Sequence, residues 1–401
     1  MTSDANNLSE AMFYERLPEN RVHCTLCPHD CRIADGARGA CGVRINHRGK
    51  LFTLVYDRII SRNVDPVEKK PLFHFMPGAR VYSIGTVGCN LRCRFCQNWE
   101  ISQWPRKHLP AKAEWPDHAG ASEAVCPLLQ QIQSQVPGER VTPRQIVDAA
   151  LDSGASAVAY TYTEPTVFYE LAHDTAALAR TAGLKNIFVT NGYICEGPLR
   201  QLADVLDAVN VDFKFFSDES YHRLSRASLR PVVEAIRLYR QLGVWVEVTT
   251  LVIPGVNDSE QELRRIAEFI CSVAPEIPWH ISRFYPAYEM VNWSPTELET
   301  LQRARRIGRQ AGLRYVYSGN TPGEQGENTY CYHCGSLLIE RYGFVIRANR
   351  LRQGICPECG SRIDGVSMAG TGRPSPGARG GKAGEATQGA LPRVDTGSQD
   401  A

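Results

Sequence analysis

The chain has 401 residues, of which 43% are hydrophobic and 22% charged; this is ordinary globular usage and excludes wholesale disorder. With 45 basic against 43 acidic residues the formal net charge is +2, which excludes nucleic-acid binding through bulk charge but leaves a local basic patch open. No apolar run reaches the roughly 18 residues that would cross a bilayer, and Met1–Glu10 lacks an apolar signal core, so the expectation is a cytoplasmic protein without a membrane partner.

Residues 1–77 read as an irregular, loop-rich, cysteine-bearing region. From Val81 the texture changes to short apolar runs alternating with amphipathic stretches. The runs are Val81–Val87, Ala157–Tyr162, Asn186–Thr190, Ala208–Phe213, Val244–Leu251 and His280–Phe284, with a weaker one at Tyr315–Tyr317. Thr142-Pro143 is a helix start, threonine as cap and proline at the first helical position. Asp258-Ser259 and Ser294-Pro295 are similar starts, each followed by apolar residues at helical spacing. Repeated strand–helix units with near-continuous apolar strands imply parallel pairing through crossover helices. Six or seven such units fit an α/β fold of the partial TIM-like (β/α)6 type over residues 78–320. Residues 104–140 interrupt the pattern as a surface insertion, with Cys126 a bystander. Residues 321–366 form a small cysteine module, and 367–401, rich in Gly, Pro, Arg and Ser, read as a disordered tail.

The 14 cysteines carry most of the information. Three groups stand out: Cys24, Cys27, Cys31 and Cys41; Cys89, Cys93 and Cys96; Cys331, Cys334, Cys356 and Cys359. Cys126, Cys195 and Cys271 stand alone. In a reducing compartment, thiols two or three residues apart are metal ligands rather than disulfide partners. The central triplet follows the first strand of the alternating region, at the end where parallel barrels carry their chemistry. Three thiolates can hold three irons of a [4Fe–4S] cube and leave the fourth without a protein ligand, whereas a structural zinc site needs a closed tetrahedron.

Cys89-x3-Cys93-x2-Cys96, with Phe95 before the last cysteine, resembles the signature of radical S-adenosylmethionine enzymes. The order of segments is similar to the pyruvate formate-lyase activating enzyme branch and to the radical protein of the AmmeMemoRadiSam group. The resemblance implies that S-adenosylmethionine chelates the open iron and is cleaved reductively to a 5′-deoxyadenosyl radical that takes hydrogen from a substrate. It also implies an electron donor such as flavodoxin or ferredoxin, and a protein glycine as one target, with RNA, a peptide or a metabolite equally open. Thr163-Glu164 stands where the branch has a Gly-Gly-Glu-type turn, Thr190-Asn191-Gly192 resembles its Thr-Asn-Gly motif, and Asp212-Phe213-Lys214 its Asp-Leu-Lys motif. Glu164, Asn191, Asp212, Lys214 and His280 are therefore expected at the cofactor, with Lys214 also the catalytic candidate, a point charge for the cofactor carboxylate. For each, a bland structural role stands beside the functional one.

Cys331-x2-Cys334-Gly and Cys356-x2-Cys359-Gly form two knuckles around a short hairpin, a zinc-ribbon pattern whose four thiolates close one site, with a rubredoxin-like iron as the alternative occupant. The N-terminal four, Cys24, Cys27, Cys31 and Cys41, suit zinc or a second iron–sulfur cluster. The competing function class is a metal-stabilised scaffold that recruits a protein or RNA partner.

Overall fold

The structure is a computed structural model, and it describes residues 8–115 and 127–368. Cys126 and residues 369–401 of the expected tail lie outside the described residues.

One eight-stranded sheet organises the molecule. Its strands are β1 (Ser61–Pro66), β2 (Arg80–Gly85), β3 (Ala157–Tyr160), β4 (Lys185–Thr190), β5 (Ala208–Asp212), β6 (Trp245–Val252), β7 (Trp279–Arg283) and β8 (Val316–Gly319). They lie side by side in chain order. β2 to β8 are parallel, and β1 pairs antiparallel with β2. An order without reversal is that of a barrel rather than a doubly wound sheet. Among the described residues β8 pairs only with β7, so the barrel is open. The weaker run at Tyr315–Tyr317 forms the seventh parallel strand, and the antiparallel edge strand Ser61–Pro66 is added to what the sequence suggested.

Crossover helices cover the outside: α1 (Pro143–Asp152), α2 (Tyr169–Thr181), α3 (Glu196–Ala203), α4 (Asp218–Ser225), α5 (Leu229–Gln241), α6 (Glu260–Val273) and α7 (Leu298–Gln310). The expected start of α1 is a full capping box, in which Thr142 accepts from Gln145 N–H and Gln145 from Thr142 N–H. α7 begins three residues later than its proline suggests. Thr296 Oγ1 donates to Val252 O at 2.6 Å and accepts from Phe284 N–H at 3.0 Å, which holds the preceding residues out of the helix. At Gly308 a Cβ would meet Trp279 at 2.9 Å, so α7 packs closer to β7 than a larger residue would allow.

Side chains along β3 alternate as the pleat requires. Val158 and Tyr160 join the large outer core, while Ala157 and Ala159 face inward onto Phe75, Leu72 and Val67. The small inward residues leave room for the segment 67–76, which passes through the barrel floor. There Asn210 of β5 donates to Pro71 O at 2.7 Å, and Glu247 of β6 accepts from the backbone amides of Phe73 and His74 at 3.0 and 2.8 Å.

The N-terminal region is more regular than its sequence suggests. It holds two three-stranded antiparallel sheets, one built from Tyr14–Leu17, Arg21–Cys24 and Cys31–Ile33, the other from Ser9–Glu10, Arg44–His47 and Lys50–Thr53. Arg44 donates to Glu170 of α2 and ties this lobe to the barrel; both side chains are buried. At the other end, the hairpin of β9 (Leu337–Tyr342) and β10 (Val345–Asn349) packs Leu338 and Ile339 into a core with Tyr315, Tyr317 and Phe73. Met368 is buried in the same core. Arg341 of β9 donates to Phe73 O at 3.0 Å, so the module meets the barrel floor directly.

Among the described residues no helix is long and apolar enough to cross a membrane.

Candidate active site and metal centres

The carboxyl ends of β2 to β8 surround a cavity of about 420 Å³. Its wall includes Cys89, Cys93 and Cys96 on one side and Asp212, Lys214, Thr249 and Leu251 on another, with Thr161–Glu164 and Thr190-Asn191 between. Among the described residues no other cysteine lines it.

The triplet loop is held by its surroundings. Arg92 and Arg94 N–H donate to Ser225 O and Leu224 O, both at 2.9 Å, docking the loop on the end of α4. Cys93 Sγ lies 3.4 Å from Ser225 Oγ, Cys96 Sγ 3.4 Å from Ser102 Oγ, and Leu91 N–H donates to Cys89 Sγ at 3.4 Å. Such donors suit thiolates that carry charge. Without a metal, burial pushes the Cys96 thiol up to about 11, and burial with the nearby Glu164 charge pushes Cys89 up as well. Metal binding at the triplet therefore releases protons. Three converging thiols without a fourth fit a [4Fe–4S] cube with one iron left open.

Glu164 is saturated. Its Oε1 accepts from Thr166 N–H at 3.0 Å, Thr166 Oγ1 at 2.6 Å and Thr190 Oγ1 at 2.8 Å, and its Oε2 from Asn191 N–H at 2.7 Å. It stitches the end of β3 to the end of β4. Asn191 Nδ2 donates to Asn90 Oδ1 at 2.8 Å, which links the β4 end to the triplet loop. Asn90 escaped the sequence reading, because nothing in one chain marks which residue between two cysteines is a strut.

Lys214 and Asp212 pair at 3.1 Å, the lysine side chain mostly buried and the carboxylate more exposed. Burial opposes the lysine charge, but Asp212 and Cys93 outweigh it and hold the ammonium well above its ordinary value. Asn257 Nδ2 donates to Lys214 O at 2.8 Å and fixes the backbone there.

Where the activase branch has glycines, Tyr162 adopts a positive φ of 67°. Asn98 Nδ2 donates to its carbonyl at 2.6 Å, and its hydroxyl reaches Asp65 Oδ2 at 3.1 Å. Lys70, buried and 2.7 Å from Asp65, lines the same cavity with Lys69. The Asp65, Lys69 and Lys70 contributions come from β1 and the turn after it, which the sequence reading took as loop.

His280 is not at the cavity. Its Nε2 lies 2.6 Å from Glu247 Oε2, in the buried floor cluster with Phe73 and Tyr317. The expectation that it contacts the cofactor is corrected: Ser282, two residues on, lines the cavity instead. Of the other expected residues, Glu164, Asn191, Asp212 and Lys214 are all brought to the cavity wall.

The C-terminal cysteines form a compact group, with all four sulfurs within 4.8 Å of one another. Cys331 and Cys359 sulfurs are 3.6 Å apart and those of Cys334 and Cys356 3.7 Å. Four thiolates about 2.3 Å from one tetrahedral ion stand about 3.8 Å apart, so the group fits a single metal ion. The two knuckles are alike: Gly335 N–H donates to Cys331 O at 2.9 Å and Gly360 N–H to Cys356 O at 3.0 Å. The N-terminal four line a separate small cavity with Arg44.

A family model described as the radical SAM superfamily matches residues 83–270. An uncharacterized protein of Methanocaldococcus jannaschii is 43% identical over 360 residues, covering 89% of this chain and 99% of that one. The pyruvate formate-lyase 1-activating enzyme of Escherichia coli is 23% identical over 243 residues, 57% of this chain and 89% of that enzyme. Among solved structures, a domain of a pyruvate-formate lyase-activating enzyme from Bacteroides vulgatus covers 41% of this chain and 100% of its own, with a TM-score of 0.37 and 18% identity. With its cysteine triplet inside the matched span, on the loop after the first parallel strand, the chain belongs to the radical SAM superfamily.

Proposed function

We propose that this protein is a radical S-adenosylmethionine enzyme of the activase type. In this reading Cys89, Cys93 and Cys96 hold a [4Fe–4S] cluster, the barrel mouth holds S-adenosylmethionine, and the substrate is a glycine of a partner protein. The observation that carries it is the convergence of three thiols and the Asp212–Lys214 pair on one cavity at the carboxyl ends of the strands. Bound together, cluster and S-adenosylmethionine supply one-electron cleavage of a sulfonium and, from it, hydrogen-atom abstraction. The protein's part is placement. The Lys214 ammonium meets the cofactor carboxylate, and the half-exposed Asp212 accepts from a ribose hydroxyl. Glu164 reaches the cofactor only indirectly, by fixing Thr190 and Asn191. Leu91, Val189 and Leu251 make part of the wall apolar and keep water from the reacting centre. The activase reading of the substrate rests on the pyruvate formate-lyase 1-activating enzyme likeness. The reductant in this reading is a flavodoxin or ferredoxin, and the C-terminal quartet holds zinc.

The test is anaerobic reconstitution with iron and sulfide, reduction, and quantification of products from S-adenosylmethionine. The wild type is expected to yield 5′-deoxyadenosine and methionine, and Cys93→Ala to yield neither. A fully loaded, reduced wild type that binds the cofactor yet never forms 5′-deoxyadenosine, with candidate glycyl-radical partners present, would overturn the enzyme reading in favour of a scaffold.

A further inference from the structure

Nothing in the proposed reaction uses the N-terminal cysteines, yet they are built as a site. Cys24 and Cys31 face each other across the antiparallel pair Arg21–Cys24 and Cys31–Ile33. Cys27 lies in the turn between, closed by Asp30 N–H donating to Cys27 O at 3.1 Å. Cys41 follows the bend at Gly39, where Gly42 N–H donates to Gly39 O at 2.9 Å. All four are free thiols, and all four line one cavity.

Donors surround these sulfurs. Ala40 N–H donates to Cys31 Sγ at 3.4 Å, and Arg44 Nη1 to Cys24 Sγ at 3.6 Å. The backbone amide of His29 serves Cys27, and those of Val43 and Arg44 serve Cys41. Arg44 is 1% exposed, and its Nε, deep in the protein, has no hydrogen-bond partner. A buried guanidinium with amides aimed at sulfur suits thiolates that share a net negative group.

Sulfur spacing then separates the two metal chemistries. Among the described residues, the C-terminal quartet is the only set of three or more Cys, His, Asp or Glu whose ligand atoms all lie within 4.8 Å of one another. No three of the N-terminal sulfurs meet that closely, and the triplet sulfurs do not either. A single tetrahedral ion draws its thiolates to about 3.8 Å from one another. A cluster binds each pair, or each single thiolate, at a different iron, so its sulfurs stand farther apart. Among the described residues, the N-terminal quartet thus shares with the triplet, and not with the C-terminal quartet, sulfurs that are not gathered around one single-ion point.

We propose that Cys24, Cys27, Cys31 and Cys41 hold a second iron–sulfur cluster, with a thiolate at every protein-facing position and no open iron for S-adenosylmethionine. It adjoins the first. The Arg106 guanidinium donates to Ala40 O at 3.0 Å through Nε and to Cys89 O at 2.7 Å through Nη2, so one side chain spans both cysteine loops. His29 Nε2 lies 2.6 Å from Asn90 O, inside the triplet.

The test uses the full-length chain reconstituted anaerobically with ferrous iron and sulfide. The variant Cys89→Ala/Cys93→Ala/Cys96→Ala is expected to keep one cluster's iron and acid-labile sulfide, with charge-transfer absorbance that bleaches on reduction. Adding Cys24→Ala/Cys27→Ala should remove all three signals and leave zinc unchanged. A triplet variant that retains zinc at two equivalents and no sulfide would overturn the proposal. The metal content of the wild type decides independently of how the variants fold. Iron and sulfide clearly above the four of one cube support a second cluster, and about four irons with two zincs refute it.

Discussion

Lys214 keeps its charge in a place where burial alone would take it away, because Asp212 and the Cys93 sulfur lie beside it. Asp212 already pairs with this charge, and in the proposed reaction the cofactor carboxylate is a second anion for it. Lys214→Met keeps the length of the stem and removes the charge. We expect it to weaken S-adenosylmethionine binding about tenfold or more, equivalent to about 1.4 kcal/mol, while iron content stays at the wild-type level. Equal affinity in calorimetry at equal iron would refute the role. At the same scale, Glu164, Asn191, Asp212 and Lys214 were expected at the cofactor from their resemblance to the family's strand-end motifs, and all four line the cavity. The sequence reading misplaced His280 for a physical reason. His280 and Ser282 share one face of β7, but two residues of strand rise about 6.6 Å. That step separates the cavity from the layer beneath, where Glu247 likewise lies two residues below Thr249. Alternation reveals which face a residue takes and says nothing of its depth.

The segment 67–76 shows what one element can do that its composition does not announce. It has no regular periodicity, yet it supplies the floor of the barrel. His74 Nδ1 donates to Asp364 O at 2.6 Å, and its Nε2 lies 2.5 Å from Tyr317 Oη. Glu247, His280 and Arg341 also face it. Burial is the main cause that lowers His74 to about 4. Its folded value lies below the unfolded value of about 6.5, so its contribution to stability is complete above pH 6.5 and is lost as pH falls towards 4. At pH 5 the loss should be about 2 kcal/mol. Unfolding measured at pH 7 and pH 5 should show this loss in the wild type and a smaller one in His74→Gln. Identical pH dependence in both would place the acid sensitivity elsewhere. The partners of this histidine, Tyr317 and Asp364, are more than two hundred residues away along the chain. No local pattern could have announced them.

For the molecule as a whole, the parallel strands and their helices were legible because each carries its own apolar pattern and caps. The N-terminal lobe was not, since its strands are two to four residues long and depend on remote partners such as Glu170 for Arg44. The C-terminal module was legible as a metal pattern but not as part of the barrel. Arg341 lies against Glu68 at 3.8 Å, with both side chains inaccessible, and also holds Phe73 O. Replacing Cys331 and Cys334 by serine should therefore remove zinc, leave iron unchanged and destabilise the barrel itself. The cost should be about 3 kcal/mol, that of leaving a buried ionic partner uncompensated. Metal analysis and a thermal unfolding curve check both halves, and iron that falls in step with zinc would show that the two sites are not separate.

The Arg106 side chain, lying between Ala40 O and Cys89 O, also bears on how the protein matures. Ordering either cysteine loop fixes one end of the same guanidinium, so a loop already closed on its metal lowers the entropy lost when the other closes. Linkage makes the effect mutual. In the two-cluster reading a chain that has closed one loop is the better acceptor for the second centre, so loading is biased towards the doubly filled protein while a singly filled one still persists.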